Sequence, residues 1–161
     1  MRKAALVAVA ALAAIVQVYS VYAGEWEYTV NIDPMNDVKT ESAINSKEAD
    51  NPFRISFIGF SCIGDSFVFA TKKSMPFHMD RNIDLTFRIE KDKAVKTILS
   101  WDQKNMAAVA GGNDALGYAK SFAKAKETVV VKLGDGDPVI YGADQDGSIV
   151  KAAASCGLSL R

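Results

Sequence analysis

Phe53-Arg54-Ile55-Ser56-Phe57-Ile58-Gly59-Phe60-Ser61-Cys62 carries the strongest strand signal in the chain. Phe53, Ile55 and Phe57 alternate with Arg54 and Ser56. This period of two gathers apolar side chains on one face only if the backbone is extended. Ile58 and Phe60 then make the opposite face apolar as well, which predicts a strand buried on both sides. Ile63-Gly64-Asp65 reads as a hairpin turn, and Ser66 to Thr71 returns through Phe67 and Phe69.

The same period extends on either side of this hairpin. Upstream, Trp26, Tyr28, Val30 and Ile32 alternate within Gly24 to Ile32, a strand with one buried face. Asp33-Pro34-Met35-Asn36-Asp37 ends it with turn chemistry, since proline fixes φ while Asn and Asp hydrogen-bond their own backbone. Val38 to Ile44 is a more polar second strand, expected at an edge or facing solvent. Downstream, Ile83, Leu85, Phe87 and Ile89 point inward, and Asp84, Thr86 and Arg88 point outward. Lys91-Asp92-Lys93 turns the chain, and Ala94 to Trp101 pairs back.

The pattern changes after Trp101. Asn113 or Asp114 is the expected cap of a helix running to about Lys126, with Leu116, Ala119, Phe122 and Ala123 on its buried face. Thr128 to Leu133 is a β-branched strand, and Val139 to Tyr141 is short and extended. Ser148 to Ser155 is a terminal helix that Gly157 stops. Strands first and helices later predict an α+β fold, mainly an antiparallel sheet or sandwich with two helices in the C-terminal part.

Residues 1–23 read as a secretory signal peptide. Met1-Arg2-Lys3 is positive, Ala4 to Val16 is apolar, and Val21 with Ala23 suits cleavage before Gly24. The apolar run of about 13 residues is short of the roughly 20 that a spanning helix needs. The expectation is a single periplasmic domain over 24–161, with no stable membrane insertion once the signal is removed. Loss of Arg2 and Lys3 leaves 17 basic and 19 acidic residues, about −2 in net charge. Such a balance, with no basic block, argues against nucleic acid as a partner.

Cys62 and Cys156 are the two cysteines. In an oxidising compartment the simplest reading is one disulfide; two buried thiols are the alternative.

No catalytic constellation stands out, so the chain is expected not to be an enzyme. His78 is the sole histidine, set in Met75-Pro76-Phe77-His78-Met79 without a GxSxG elbow. An enzyme working through it is a minor alternative. One histidine and two distant cysteines make no zinc pattern. Asp135, Asp137, Asp144 and Asp146 precede Gly147, but calcium-loop spacing would place Gly142 and Ala153 where acids belong. Neither a metal nor a cofactor is expected. Gly111-Gly112 and Gly134-Asp135-Gly136 lack phosphate-loop spacing. Arg54 and Arg88 point to the outer face of their strands. Pairing with Asp37 or Glu41 on a neighbouring strand is the favoured reading, and binding an anionic partner the other.

The order of landmarks resembles the periplasmic accessory proteins of type VI secretion of the VasI/TagO kind, and related prophage-encoded exported proteins. The landmarks are Trp26, the turn Asp33-Pro34-Met35-Asn36-Asp37, Cys62 at a strand end, Phe87-Arg88, Trp101, Phe122, Val129 to Val131 and a small-residue helix into Cys156. The layout is also similar to invasion-associated exported proteins of host-associated bacteria. The resemblance implies a small disulfide-bonded periplasmic domain that acts by contact with an envelope or secretion-system protein. Candidate partner-binding residues are Trp26, Asp33, Met35, Asp37, Arg54 and Arg88. The alternative is a small-molecule or lipid carrier enclosed by Phe53, Phe57, Phe67 and Phe69.

Overall fold

A computed structural model describes residues 25–47, 55–73, 82–104 and 106–161. Their order is β1 (Glu27–Ile32), β2 (Lys39–Ser46), β3 (Ile55–Ile63), β4 (Ser66–Lys73), β5 (Asn82–Ile89), β6 (Val95–Asp102), β7 (Ala107–Gly111), α1 (Gly112–Phe122), β8 (Thr128–Leu133), β9 (Val139–Gly142) and α2 (Ser148–Ser155). The α+β expectation holds, with one continuous sheet in place of a two-sheet sandwich. All nine strands belong to it in the order β1-β2-β3-β4-β7-β6-β5-β8-β9, and every pairing is antiparallel.

Strands β1 to β4 form a simple meander, each paired with its predecessor. Gly64, at φ 58°, supplies the left-handed residue of the β3–β4 turn. The strand β7 joins this meander to the rest, pairing with β4 through Val68↔Gly111 and with β6 through Ser100↔Val109. Its sequence, Ala107-Ala108-Val109-Ala110-Gly111, has weak strand propensity, and the sequence reading assigns it no strand. Gly112 follows at φ 58°, so glycine lets the chain pass from β7 straight into α1.

The two faces of β3 are set by a bulge. Ile55 pairs with Lys73 and Phe57 with Lys72, so the register shifts between them. Ile55, Ile58, Phe60 and Cys62 are all buried. Phe57 turns to the other face, where its ring lies over Gly59; a Cβ on Gly59 would meet that ring at 2.9 Å. The expectation that Ile55 and Phe57 share a face is therefore corrected: the extra residue flips the parity.

The sheet curls around α1. Phe122 meets the rings of Trp26, Phe60, Phe69 and Phe87 at centroid distances of 6.5, 5.4, 6.0 and 5.3 Å. Those four rings come from the residue just before β1 and from β3, β4 and β5, so one helical side chain is contacted from across the sheet. Tyr118 meets Phe69 and Phe87, both at 5.6 Å, and its hydroxyl bonds Thr97 Oγ1 at 2.6 Å. Packed aromatic pairs add about 0.5–1.5 kcal/mol each beyond area burial. The buried face of α1 is Ala115, Tyr118, Ala119 and Phe122. The expected face through Leu116 and Ala123 is rotated, because Tyr118 takes the inward position and both of those are only half-buried.

Curling brings the ends of the sheet together. Trp26 Nε1 donates to the Gly142 carbonyl at 2.9 Å, and the Tyr141 hydroxyl donates to the Ile55 carbonyl at 3.3 Å. Burial pushes the Tyr141 phenol well above its ordinary value. The helix α2 lies over β1, β2 and β3. Cys156 at its end is bonded to Cys62 of β3, with Cα atoms 5.6 Å apart, so the one-disulfide expectation is met. Gly157, at φ 69°, ends the helix: its N–H reaches the Ala154 carbonyl, and Leu158 N–H reaches that of Ala153. This is the Schellman arrangement, and Leu158 and Leu160 then pack on the core.

Candidate functional site

Five of the six candidate partner-binding residues lie among the described residues, Trp26, Asp33, Met35 and Asp37 near β1 and Arg88 on β5, and they do not form one group. Arg54 and His78 lie outside the described residues. Trp26, expected at a partner surface, is a core residue with 6% exposure, stacked on Phe60 at 6.1 Å. Its indole is committed to Gly142, so its contribution is to the fold.

Asp33, Met35 and Asp37 do come together, in the β1–β2 turn. Asp33 Oδ1 accepts the Met35 N–H at 2.8 Å, and Asn36 Oδ1 accepts the Val38 N–H at 3.0 Å. The Asp37 N–H bonds the Asp33 carbonyl at 2.9 Å, and Asp37 itself adopts φ 58°. Aspartate tolerates that left-handed conformation better than most residues do. The acids are thus occupied in shaping the turn, and the turn holds Met35 outward at 89% exposure.

The surface continues down β1. Val30 and Ile32 share a face with Tyr28, yet they are 52% and 57% exposed. The expected buried face of this strand stops at Tyr28, which is a correction. Opposite them on β2 stand Glu41 and Lys39, in register with Val30 and Ile32. Glu41 pairs with Lys39 and accepts the Tyr28 hydroxyl. Lys39 first and then Tyr28 hold the Glu41 carboxyl below its ordinary value, and the bond to Glu41 raises the Tyr28 phenol. Lys151 of α2 lies over the Tyr28 ring at 6.0 Å. At this end of the sheet four apolar residues are exposed, Val30 and Ile32 on β1, Met35 in the turn and Val38 just after it, beside a fixed polar network. Among the described residues β1 is an edge strand of the sheet, paired only with β2.

Arg88 lies elsewhere. It is exposed on the outward side of β5, paired in register with Val130 of β8. The expected pairing with Asp37 or Glu41 does not occur. Four strands separate β2 from β5 in the sheet, and Glu41 is taken by Lys39 and Tyr28.

Two acids have structural roles that the sequence did not reveal. Asp144 accepts the N–H groups of Ser148 and Ile149 at 2.9 and 2.8 Å, capping α2 from outside the helix. Glu90, at φ 49°, accepts the N–H groups of Lys126 and Glu127. Those two donors hold its carboxyl below its ordinary value. A cleft of about 340 Å³ beside Trp26 is lined by the acids Glu25, Glu127 and Asp146. No nucleophilic or basic side chain joins them there, and no group of three or more metal-ligating residues exists among the described residues. Compared with protein families, curated proteins and solved structures, the chain matches none of them.

Proposed function

We propose that the chain is a non-enzymatic exported interaction protein of a bacterial envelope, which acts in the periplasm through the β1–β2 end of the sheet. One observation carries this reading: Val30, Ile32, Met35 and Val38 are exposed at one end of a molecule whose described interior is filled by rings in contact. Apolar residues kept in water beside a filled core are the usual sign of a partner surface. Of the aromatic residues that suggest a carrier, Phe67 and Phe69 pack on Phe60, Phe57 lies on the other face of the sheet over Gly59, and Phe53 lies outside the described residues. The Cys62–Cys156 bond suits an oxidising compartment.

On this reading residues 1–23 are removed before Gly24, and the partner is an envelope or secretion-system protein. The role is that of a type VI secretion accessory or of a phage-encoded protein that modifies the envelope.

The test places a photo-crosslinking residue at Met35 or, as a control, at Lys124 in cells expressing the protein. The expected result is a discrete adduct from position 35 only, in the periplasmic fraction, with the protein beginning at Gly24. Met35→Glu should abolish function while changing stability by no more than about 0.5 kcal/mol. An adduct-free position 35, or full function in Met35→Glu with Ile32→Glu, overturns the reading.

A further inference from the structure

The face of the sheet turned away from the helices carries a separate feature. Thr86 of β5 is in register with Lys96 of β6 on one side and Lys132 of β8 on the other. Arg88, two residues along β5, projects from the same face. All three cations are exposed. Residues directly opposite on neighbouring strands have Cβ atoms about 4.5–5.5 Å apart, so the three charges crowd a patch about 10 Å wide. Like charges so placed repel one another. Among the described residues no acid forms an ion pair with any of them. Asp84 shares the face, opposite Ile98, which leaves three cations against one acid.

The surroundings indicate what would neutralise them. The patch lies on a sheet face where Arg88, Lys96, Ile98 and Lys132 are all exposed. Two of its cations are lysines, compact point charges that need no fixed bidentate partner. Ile98, on the same face two residues from Lys96, is 62% exposed. Cations around an exposed aliphatic side chain fit the boundary between lipid head groups and acyl chains; a soluble ion would leave Ile98 in water.

We propose that the outward face of β5, β6 and β8 docks peripherally on an anionic phospholipid surface through Arg88, Lys96 and Lys132, with Ile98 entering the boundary layer. No helix among the described residues is long and apolar enough to cross a membrane; the proposed contact is one of surface. The proposal is independent of the partner surface at Met35.

The test is co-sedimentation of the protein, purified as its cells process it, with vesicles of phosphatidylcholine alone or with phosphatidylglycerol added. Binding to the anionic vesicles should exceed binding to the neutral ones and fall as salt rises. Each cation near such a surface is worth about fivefold, so the triple variant Arg88→Gln, Lys96→Gln, Lys132→Gln should lose about a hundredfold. A control triple, Lys104→Gln, Lys120→Gln, Lys124→Gln, removes the same charge elsewhere and should bind like the parent. Thermal melts of both triples show whether each is folded. Equal binding to neutral vesicles, equal loss in the two triples, or binding to soluble polyphosphate without binding to vesicles overturns the proposal. Should the first triple fail to fold, Ile98→Ser alone must still weaken vesicle binding for the proposal to stand.

Discussion

The indole N–H of Trp26 donates to the carbonyl of Gly142 across 116 residues of sequence, and this bond fastens the start of the first strand to the end of the last. Trp26→Phe keeps much of the stacking on Phe60 but removes the donor and shrinks the ring. The expected cost is about 1–2 kcal/mol, from the lost bond and the smaller ring. Amide exchange in Thr128–Gly142 should quicken more than exchange in β3 and β4. Uniform quickening would show that this bond does not control the curl.

Phe122 is the ring on which the curled sheet converges, and it is 1% exposed. Phe122→Ala should destabilise the protein by about 3–5 kcal/mol, and Phe122→Leu by clearly less, as read from denaturant midpoints at constant m. A loss below about 1 kcal/mol in the alanine variant would mean that the sheet closes onto the gap.

The disulfide joins residues 94 apart in sequence. Its loss in Cys156→Ser should lower stability by about 2–5 kcal/mol. Amides from Ser148 onward should exchange first, because Ala152 and Ala153 bury little area. Leu158 and Leu160 retain some hold on the chain end, so the double variant Cys156→Ser, Leu160→Ser should release it further. Thiol labelling of the native unreduced protein should find no free cysteine.

Glu90 gives a pH signature. Its carboxyl is held below its ordinary value by the N–H groups of Lys126 and Glu127, so the ionised form is the one favoured by folding. That contribution is complete above the ordinary carboxylate range and is lost as pH falls through the lowered folded value. The difference in Tm between the parent and Glu90→Gln should therefore be present at pH 7 and shrink below about pH 4. A difference that does not change with pH would show that ionisation of Glu90 is not its source, since Glu and Gln meet the positive φ at this position alike.

Residues with a strong local period were legible from sequence. Ile83, Leu85 and Phe87 alternate and are buried as read, and Ser148 to Ser155 is the helix that its small residues and Gly157 announce. What escaped was set by partners distant in sequence. Ala107 to Gly111 becomes a strand because β4 and β6 supply both its neighbours, not because alanine prefers extension. The bulge between Ile55 and Phe57 leaves no mark in an alternating pattern. Trp26 looks like a surface anchor until the curl brings Gly142 to it. Val30 and Ile32 look buried because periodicity reports a face without reporting whether anything covers it. At the candidate site the turn through Asp33 and Asp37 was readable, whereas the cluster of Arg88, Lys96 and Lys132 appears only when β5 is placed between β6 and β8.

The single pairing of Cys62 with Cys156 also bears on how the chain matures. With two cysteines in the whole sequence, oxidation within one molecule has a single product, so no shuffling among wrong pairings can delay it. Cys62 belongs to a meander whose strands are neighbours in sequence, and Cys156 arrives last. Throughout synthesis the thiol of Cys62 therefore waits without its mate, and the covalent error open to the molecule is bonding to another copy. Crowded, rapid expression should thus yield disulfide-linked dimers through Cys62, and dilution should suppress them.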